Sequence, residues 1–199
     1  MFHARGVPSW LHGTRFQLSQ MSILFTLMLA FVATASIVVS ICKIRDLGEP
    51  FSSIGWNLNK DVWVSVPLGL GVAATTTVAL FLTFGGVAQF RDGFAPVSIL
   101  LFLMTSVVGQ PLIEEFYFRG VLFVALSARF SQFTTVMLTS ILFALFHVGG
   151  YRIIAAFVLL GVVLGFTRIK TRSVAACFAL HASYNLGVLV TQLLSHYWH

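Results

Sequence analysis

The sequence contains six stretches without a single Asp, Glu, Lys or Arg, and several are long enough to cross a bilayer as a helix. These stretches cover residues 16–42, 62–90, 93–113, 130–151, 153–167 and 173–199. A spanning α-helix needs about 20 consecutive apolar residues. Lipid offers the backbone no hydrogen bonds, so only helices or closed barrels cross it, and these runs lack the alternation of barrel strands. We therefore expect an all-α, polytopic transmembrane helix bundle of six to eight spans.

The composition excludes a soluble domain and argues against a nucleic-acid-binding protein. Hydrophobic residues make up 58% of the chain and charged residues only 9%, whereas soluble domains carry about 25% charged residues. The net charge of +6 comes from basic residues scattered singly between apolar runs, without the patch or stripe that binds nucleic acid. The partners we expect are the lipid bilayer and a membrane-associated substrate.

The apolar runs divide into seven predicted spans, near 21–42, 62–84, 95–109, 112–128, 132–148, 153–168 and 174–194. Gly109, Gln110 and Pro111 predict a helix break between the third and fourth, since proline suits the first turn of a new helix. If all seven spans cross, the chain places Lys60 on the opposite side of the membrane from Arg172. Gly161 and Gly165, four residues apart, predict close helix packing.

Few ionisable or strongly polar residues interrupt these spans. An Asp, Lys or Arg at the centre of a spanning helix costs about 2.5–3.5 kcal/mol on insertion scales, so intramembrane charges are functional candidates. The candidates here are Glu114, Glu115, Arg119, His147, His181 and Asn185.

Helical geometry separates the two adjacent glutamates. Glu115 and Arg119 are four residues apart, so they project from one face and can pair. Glu114 points about 140° away from Arg119, which leaves its carboxylate without a local cation and makes it the candidate general base. His181 and Asn185 are also four apart and offer an imidazole and an amide in one direction, as an oxyanion requires.

These residues, in this order, resemble three motifs of the CPBP family, the relatives of the type II CAAX prenyl endopeptidases. The matching residues are Glu114-Glu115 with Arg119, then Phe143 with His147, and then His181 with Asn185. The resemblance covers roughly residues 95–194. It implies that residues 95–194 form the catalytic core. From the apolar runs and the aromatic residues beside them, we expect residues 1–20 to form an N-terminal juxtamembrane segment, 21–94 the first spans and loops, and 195–199 an interfacial tail.

The resemblance also implies an activity, that of an intramembrane endopeptidase without a cofactor. Glu114 would activate water, His147 would assist it, and Glu115 with Arg119 would fix the geometry. His181 and Asn185 would hold the oxyanion. The expected location is the inner membrane of a prokaryotic cell, and the expected substrate is a membrane-associated peptide or protein, prenylated or unmodified.

Two alternative hypotheses stay open at the level of the sequence. Two glutamates and two histidines are also zinc ligands, although the chain lacks the His-Glu-x-x-His spacing of many zinc proteases. A non-catalytic scaffold or immunity protein would carry the same motifs. A proton-coupled transporter would also use buried Glu and His, but it would usually show internal repeats, which are absent from the sequence.

Overall fold

The computed structural model describes residues 54–84, 100, 103–147 and 151–197, and helices make up most of this part of the chain. We label the helices α1 to α5. Their bounds are Asp61–Phe84 for α1, residues 103–127 for α2, Gln132–Leu145 for α3, Tyr151–Thr171 for α4 and Val174–Tyr197 for α5. No strand occurs in these residues, so the all-α prediction is confirmed for them. The predicted segment 1–20 and the predicted span at 21–42 lie outside the described residues.

Side-chain caps explain where several helices begin. Ser131 has extended torsions, and its hydroxyl accepts a hydrogen bond from the backbone N–H of Thr134 at the start of α3. Ser173 does the same for Ala176 at the start of α5. Between α4 and α5, Arg172 has a φ of 54°, so the chain reverses direction within two residues. These caps satisfy donors that the first helical turn cannot pair internally.

Helix α2 is one continuous helix, which corrects the predicted break at Gly109 to Pro111. It contains two π-helical segments, Leu103–Gly109 and Phe116–Leu122, each followed by an α-helical segment, Gln110–Glu115 and Phe123–Ser127. Gly109 itself has helical torsions, φ −64° and ψ −52°. A π-helical turn contains one residue more than an α-helical turn. The π-helical turn before Pro111 allows the helix to continue without a break, although proline has no N–H to donate.

Glycines allow the closest contacts between helices. A Cβ atom on Gly161 would lie 2.9 Å from the Cα atom of Ser140, and one on Gly165 would lie 2.8 Å from Val136. Both neighbours belong to α3, so the close packing predicted for these glycines is confirmed. Gly69 of α1 approaches the carbonyl of Leu180 in α5 in the same way.

The contacts fix the relative directions of the helices. Gly69 lies against Leu180, and Ala73 lies against Gly187, so α1 and α5 are parallel. The N–H of Val174 donates to the carbonyl of Gly55, just before α1. Lys60 and Arg172 are therefore at the same end of the bundle. The sequence prediction placed them on opposite sides because it divided α2 into two spans.

We call this end the basic end. Four exposed basic residues define it, and they are Lys60, Arg129, Lys170 and Arg172. Lys60 comes directly before α1, and Arg129 lies between α2 and α3. Lys170 is in the last turn of α4, and Arg172 lies between α4 and α5.

Large apolar side chains cover the outside of the bundle, as a lipid-facing surface requires. The exposed examples include Trp63, Leu82, Phe133, Leu145 and Phe146. Three helical stretches in the described part are long and apolar enough to cross a membrane, Asp61–Thr83, Ile154–Thr171 and Val174–Thr191. The chain is thus an integral membrane protein, while the total of six to eight spans stays a prediction.

Candidate active site

The candidate site lies where α2, α3 and α5 meet, with α4 packed behind it. Glu114 and Glu115 end the short α-helical segment of α2, and Arg119 follows in the second π-helical segment. His147 comes just after the end of α3, and His181 lies within α5. The structure brings these five predicted residues into one cluster.

Glu115 and Arg119 form a fully buried ion pair, as their spacing predicted. The Nη1 atom of Arg119 lies 3.2 Å from Oε1 of Glu115, and both side chains are 0% exposed. The Nη2 atom of Arg119 donates to the carbonyl of Gly161 in α4, at 3.1 Å. The guanidinium also lies over the ring of Phe143, 4.6 Å from its centroid. A buried cation needs this number of partners to offset its loss of hydration.

Glu114 faces the two histidines instead of the arginine. Its Oε2 atom lies 3.8 Å from Nε2 of His147 and 3.9 Å from Nε2 of His181. These distances are longer than a hydrogen bond, and Oε2 has no hydrogen-bond partner within the described residues. The Glu114 side chain is 18% exposed, whereas that of Glu115 is fully buried. The different orientations predicted for the two glutamates are therefore present in the structure.

Hydrogen bonds at the Nδ1 atoms orient both imidazoles. Nδ1 of His147 lies 2.8 Å from the carbonyl of Phe143, and Nδ1 of His181 lies 2.9 Å from Oε1 of Glu115. A carbonyl only accepts, so Nδ1 of His147 carries the hydrogen, and an ionised Glu115 requires the same of His181. In a neutral ring, Nε2 is then an acceptor. Three acceptor atoms thus point toward one region, Oε2 of Glu114 and the two Nε2 atoms.

Aromatic rings pack against the imidazole ring of His147. Its ring stacks on that of Phe157, with centroids 3.7 Å apart and an interplanar angle of 25°. Phe143 contacts His147 at 4.7 Å and His181 at 5.5 Å, measured between centroids. The sequence analysis missed Phe157, because nothing in the sequence distinguishes it from the other 19 phenylalanines.

Asn185 lies one turn after His181 on α5, as its spacing predicted, and its hydrogen bond goes to the backbone of α2. The Nδ2 atom donates to the carbonyl of Ser106 at 2.7 Å. One amide hydrogen of Asn185 is left after this bond. Ser106 was not among the predicted site residues.

The zinc alternative can be compared with the arrangement of possible ligands. In the described part of the chain, no group of three or more His, Cys, Asp or Glu side chains is arranged to hold a metal ion. The free cysteine in this part, Cys177, is buried and directs its thiol to the carbonyls of Leu164 and Ser173.

Comparison with protein families agrees with the motifs. Residues 96–187 match the family model described as type II CAAX prenyl endopeptidase Rce1-like. All six predicted site residues lie within this match. Searches of curated proteins and of solved structures gave no match. The resemblance to the CPBP family is therefore confirmed, and residues 96–187 are the segment through which the chain is similar to it. Similarity to such a family indicates a protease, a class of hydrolase.

Proposed function

We propose that this protein is an intramembrane endopeptidase that hydrolyses peptide bonds of membrane-associated peptides or proteins with a water activated by Glu114. The observation that carries this proposal is the environment of the Glu114 carboxylate. Its Oε2 atom lacks a hydrogen-bond partner among the described residues and faces Nε2 of both histidines. Arg119 pairs with Glu115, so the carboxylate of Glu114 does not form an ion pair with this arginine.

Three converging acceptors suit a small molecule that donates hydrogen bonds, and water is the reactant that hydrolysis needs. A general base acts within about 3 Å of the proton that it takes, directly or through one water. A water held by Glu114 and His147 would attack the carbonyl carbon of the substrate and form a C–O bond. Its proton would pass to Glu114 and then to the leaving nitrogen when the C–N bond breaks.

In this proposal His181 and Asn185 donate hydrogen bonds to the oxyanion, and the existing hydrogen bonds of each side chain limit how it can do so. The Nδ1–H of His181 is held by Glu115, so Nε2 donates only when the ring is an imidazolium. Asn185 has one amide hydrogen beyond the bond to Ser106. A preorganised oxyanion donor typically contributes about 10²–10³-fold to the rate.

The surroundings of the cluster support the proposed substrate class. Glu114 and His147 are both partly exposed, and the nearby aromatic residues Tyr117 and Phe146 are exposed as well. A peptide that approaches along the lipid-facing surface would reach the carboxylate past these rings. A prenylated C-terminal peptide and an unmodified membrane peptide both fit such an approach. We place the protein in a prokaryotic cell membrane.

The test is cleavage of a membrane-peptide library, prenylated and unmodified, by the purified full chain in detergent. Glu114→Gln keeps the shape of the side chain but removes the proton acceptor, so cleavage should fall by about 10²–10⁴-fold. Asp61→Asn makes the same chemical change in the first turn of α1 and should leave cleavage unchanged. Undiminished cleavage by Glu114→Gln would exclude the glutamate-base mechanism.

The same assay separates the alternatives. Loss of cleavage after treatment with a metal chelator, with recovery on addition of zinc, would favour the metalloprotease. Biological activity that persists in Glu114→Gln while no cleavage is detected in the wild type would favour a non-catalytic scaffold.

A further inference from the structure

The two π-helical segments of α2 change which backbone carbonyls are available to side chains. In a π-helix the N–H of each residue bonds to the carbonyl five positions earlier, and in an α-helix to the carbonyl four positions earlier. Where one pattern gives way to the other, a carbonyl is left without a backbone donor. Such a carbonyl must find another partner if it is buried.

In the first segment, Leu103–Gly109, the carbonyl left over is that of Ser106. The π-helical pattern would pair it with residue 111, which is a proline without an N–H. The amide of Asn185 donates to this carbonyl. Pro111 thus leaves the Ser106 carbonyl without a backbone donor, and Asn185 supplies the donor from a distant position in the sequence.

In the second segment, Phe116–Leu122, the carbonyl left over is that of Arg119. The N–H of Phe123 bonds to the carbonyl of Phe118, five positions earlier, and the α-helical pattern then resumes. The Nε atom of Arg168 in α4 donates to the carbonyl of Arg119 at 3.0 Å. The residue held in this way is the one that forms the ion pair with Glu115.

Arg168 is itself fixed by a second hydrogen bond. Its Nη2 atom donates to the carbonyl of Ile54 at 3.2 Å. The next residue, Gly55, has a φ of 82°, and a Cβ atom there would lie 2.5 Å from Nη2 of Arg168. A side chain at this position would therefore displace the guanidinium. Arg168 of α4 thus connects two other parts of the chain, helix α2 and the segment that precedes α1.

We propose that Arg168 is a positioning residue for the candidate site. It fixes the backbone of α2 at Arg119, the Arg119 side chain holds Glu115, and Glu115 holds Nδ1 of His181. Glu114 precedes Glu115 on the same helix. Arg168 touches neither carboxylate, so it acts only through α2. This inference rests on the proposed function for its kinetic consequence.

The kinetic test compares two substitutions of Arg168 with two controls. Arg168→Met removes both donors and keeps most of the length of the side chain, while Arg168→Lys keeps the charge and one donor. A displacement of the reacting groups by about 1 Å costs up to about 10²-fold in rate, so kcat should fall by that amount in Arg168→Met with KM little changed. Arg168→Lys should recover part of the loss.

The controls distinguish positioning from general stability. Lys170→Met removes an exposed basic side chain two residues away and should behave as wild type. Val136→Ala truncates a fully buried side chain that packs on Gly165, and it should lower the melting temperature without lowering the kcat of the folded protein. If kcat falls only in proportion to the melting temperature across all variants, Arg168 has no positioning role. If Arg168→Met does not accumulate, Arg168→Lys decides the question.

Hydrogen exchange tests the same inference without any cleavage. Arg168→Met should exchange faster than Lys170→Met at the amides of residues 116–124, next to the carbonyl that loses its partner. Unchanged exchange there would overturn the inference. If the wild type cleaves no peptide, the proposed function fails, and faster exchange in Arg168→Met would still show that this arginine holds α2.

Discussion

At the scale of residues, Glu114 and Glu115 show how neighbours in the sequence acquire different environments. A step of one residue turns a helix by about 100°, so one carboxylate faces Arg119 and the other faces the two histidines. The Oε1 atom of Glu115 has a cation and an imidazole N–H as partners, while its Oε2 has none among the described residues. The surroundings of Glu114 leave its Oε2 atom available for a further hydrogen bond. A buried charge is normally paired, so the less satisfied carboxylate is the candidate for chemistry.

The Glu115–Arg119 pair predicts a loss of stability rather than a selective loss of activity when it is broken. Arg119→Ala would leave the Glu115 carboxylate buried with only the imidazole of His181 as a partner. Breaking a buried pair costs about 3–5 kcal/mol, so the variant should accumulate poorly and melt at a lower temperature. Arg129→Ala, at an exposed arginine, is the matched control and should change neither property. The measurement is abundance in membranes and a thermal melt in detergent, and an unchanged melt for Arg119→Ala would contradict the prediction.

Sequence reasoning found the residues that spacing can connect and missed those that only the fold connects. The pairing of Glu115 with Arg119 and the shared face of His181 and Asn185 follow from helical periodicity. Phe157 contacts His147 from α4, and Arg168 contacts the backbone of α2 from the same helix. These contacts depend on how α4 packs against α2 and α3. No local pattern in the sequence predicts those contacts.

At the scale of elements, the π-helical segments of α2 explain why the predicted helix break at Gly109 to Pro111 was wrong. Proline commonly starts a helix, so Gly109 to Pro111 indicated a break. In the π-helical pattern the Ser106 carbonyl would accept a hydrogen bond from the N–H of residue 111, but Pro111 has none. In the structure the amide of Asn185 donates to this carbonyl instead, and the helix continues. Because that partner comes from α5, 79 positions away, the local sequence alone could not show it.

The contact between α3 and α4 predicts how one added methyl group alters the bundle. Gly161→Ala would place a Cβ atom 2.9 Å from Cα of Ser140, and backbone atoms cannot move aside as a side chain can. The helices would have to separate, at a cost of about 1–3 kcal/mol for an overpacked contact. Since Gly161 also accepts a hydrogen bond from Arg119, the melting temperature and the cleavage rate should fall together.

Gly71→Ala is the control for this substitution, because a Cβ atom at Gly71 in α1 would meet nothing within 4 Å. Alanine is favoured over glycine in helices by about 1 kcal/mol, so the control should melt at the same temperature as wild type or slightly higher. Equal melting temperatures for the two variants would show that α3 and α4 are not in close contact at this position.

At the scale of the whole molecule, the direction of the helices sets which charges lie together. Lys60, Arg129, Lys170 and Arg172 are all exposed at the basic end, and this grouping follows from α2 being a single helix. Counting spans from apolar runs gave a different arrangement, because one wrongly divided helix inverts every later assignment. The all-helical class was nevertheless predictable, since the length of the apolar runs alone excludes strands.

The basic end predicts the orientation of the protein in the membrane. Loops at the cytoplasmic side of membrane proteins are enriched in Lys and Arg, so the turns that carry these four residues should face the cytoplasm. A single reactive cysteine at Lys170→Cys should be labelled by a membrane-impermeant maleimide in inside-out vesicles and protected in right-side-out vesicles. Thr83→Cys lies at an exposed position near the end of α1, at the opposite end of the bundle, and should not be labelled from the cytoplasmic side. Labelling of Lys170→Cys from the outer side would show that the protein has the opposite orientation. The contacts of Ser106 with Asn185 and of Glu115 with His181 show that α2 and α5 are antiparallel. The end of α2 and the start of α5 therefore face the same side of the membrane, and this result would apply to the whole basic end.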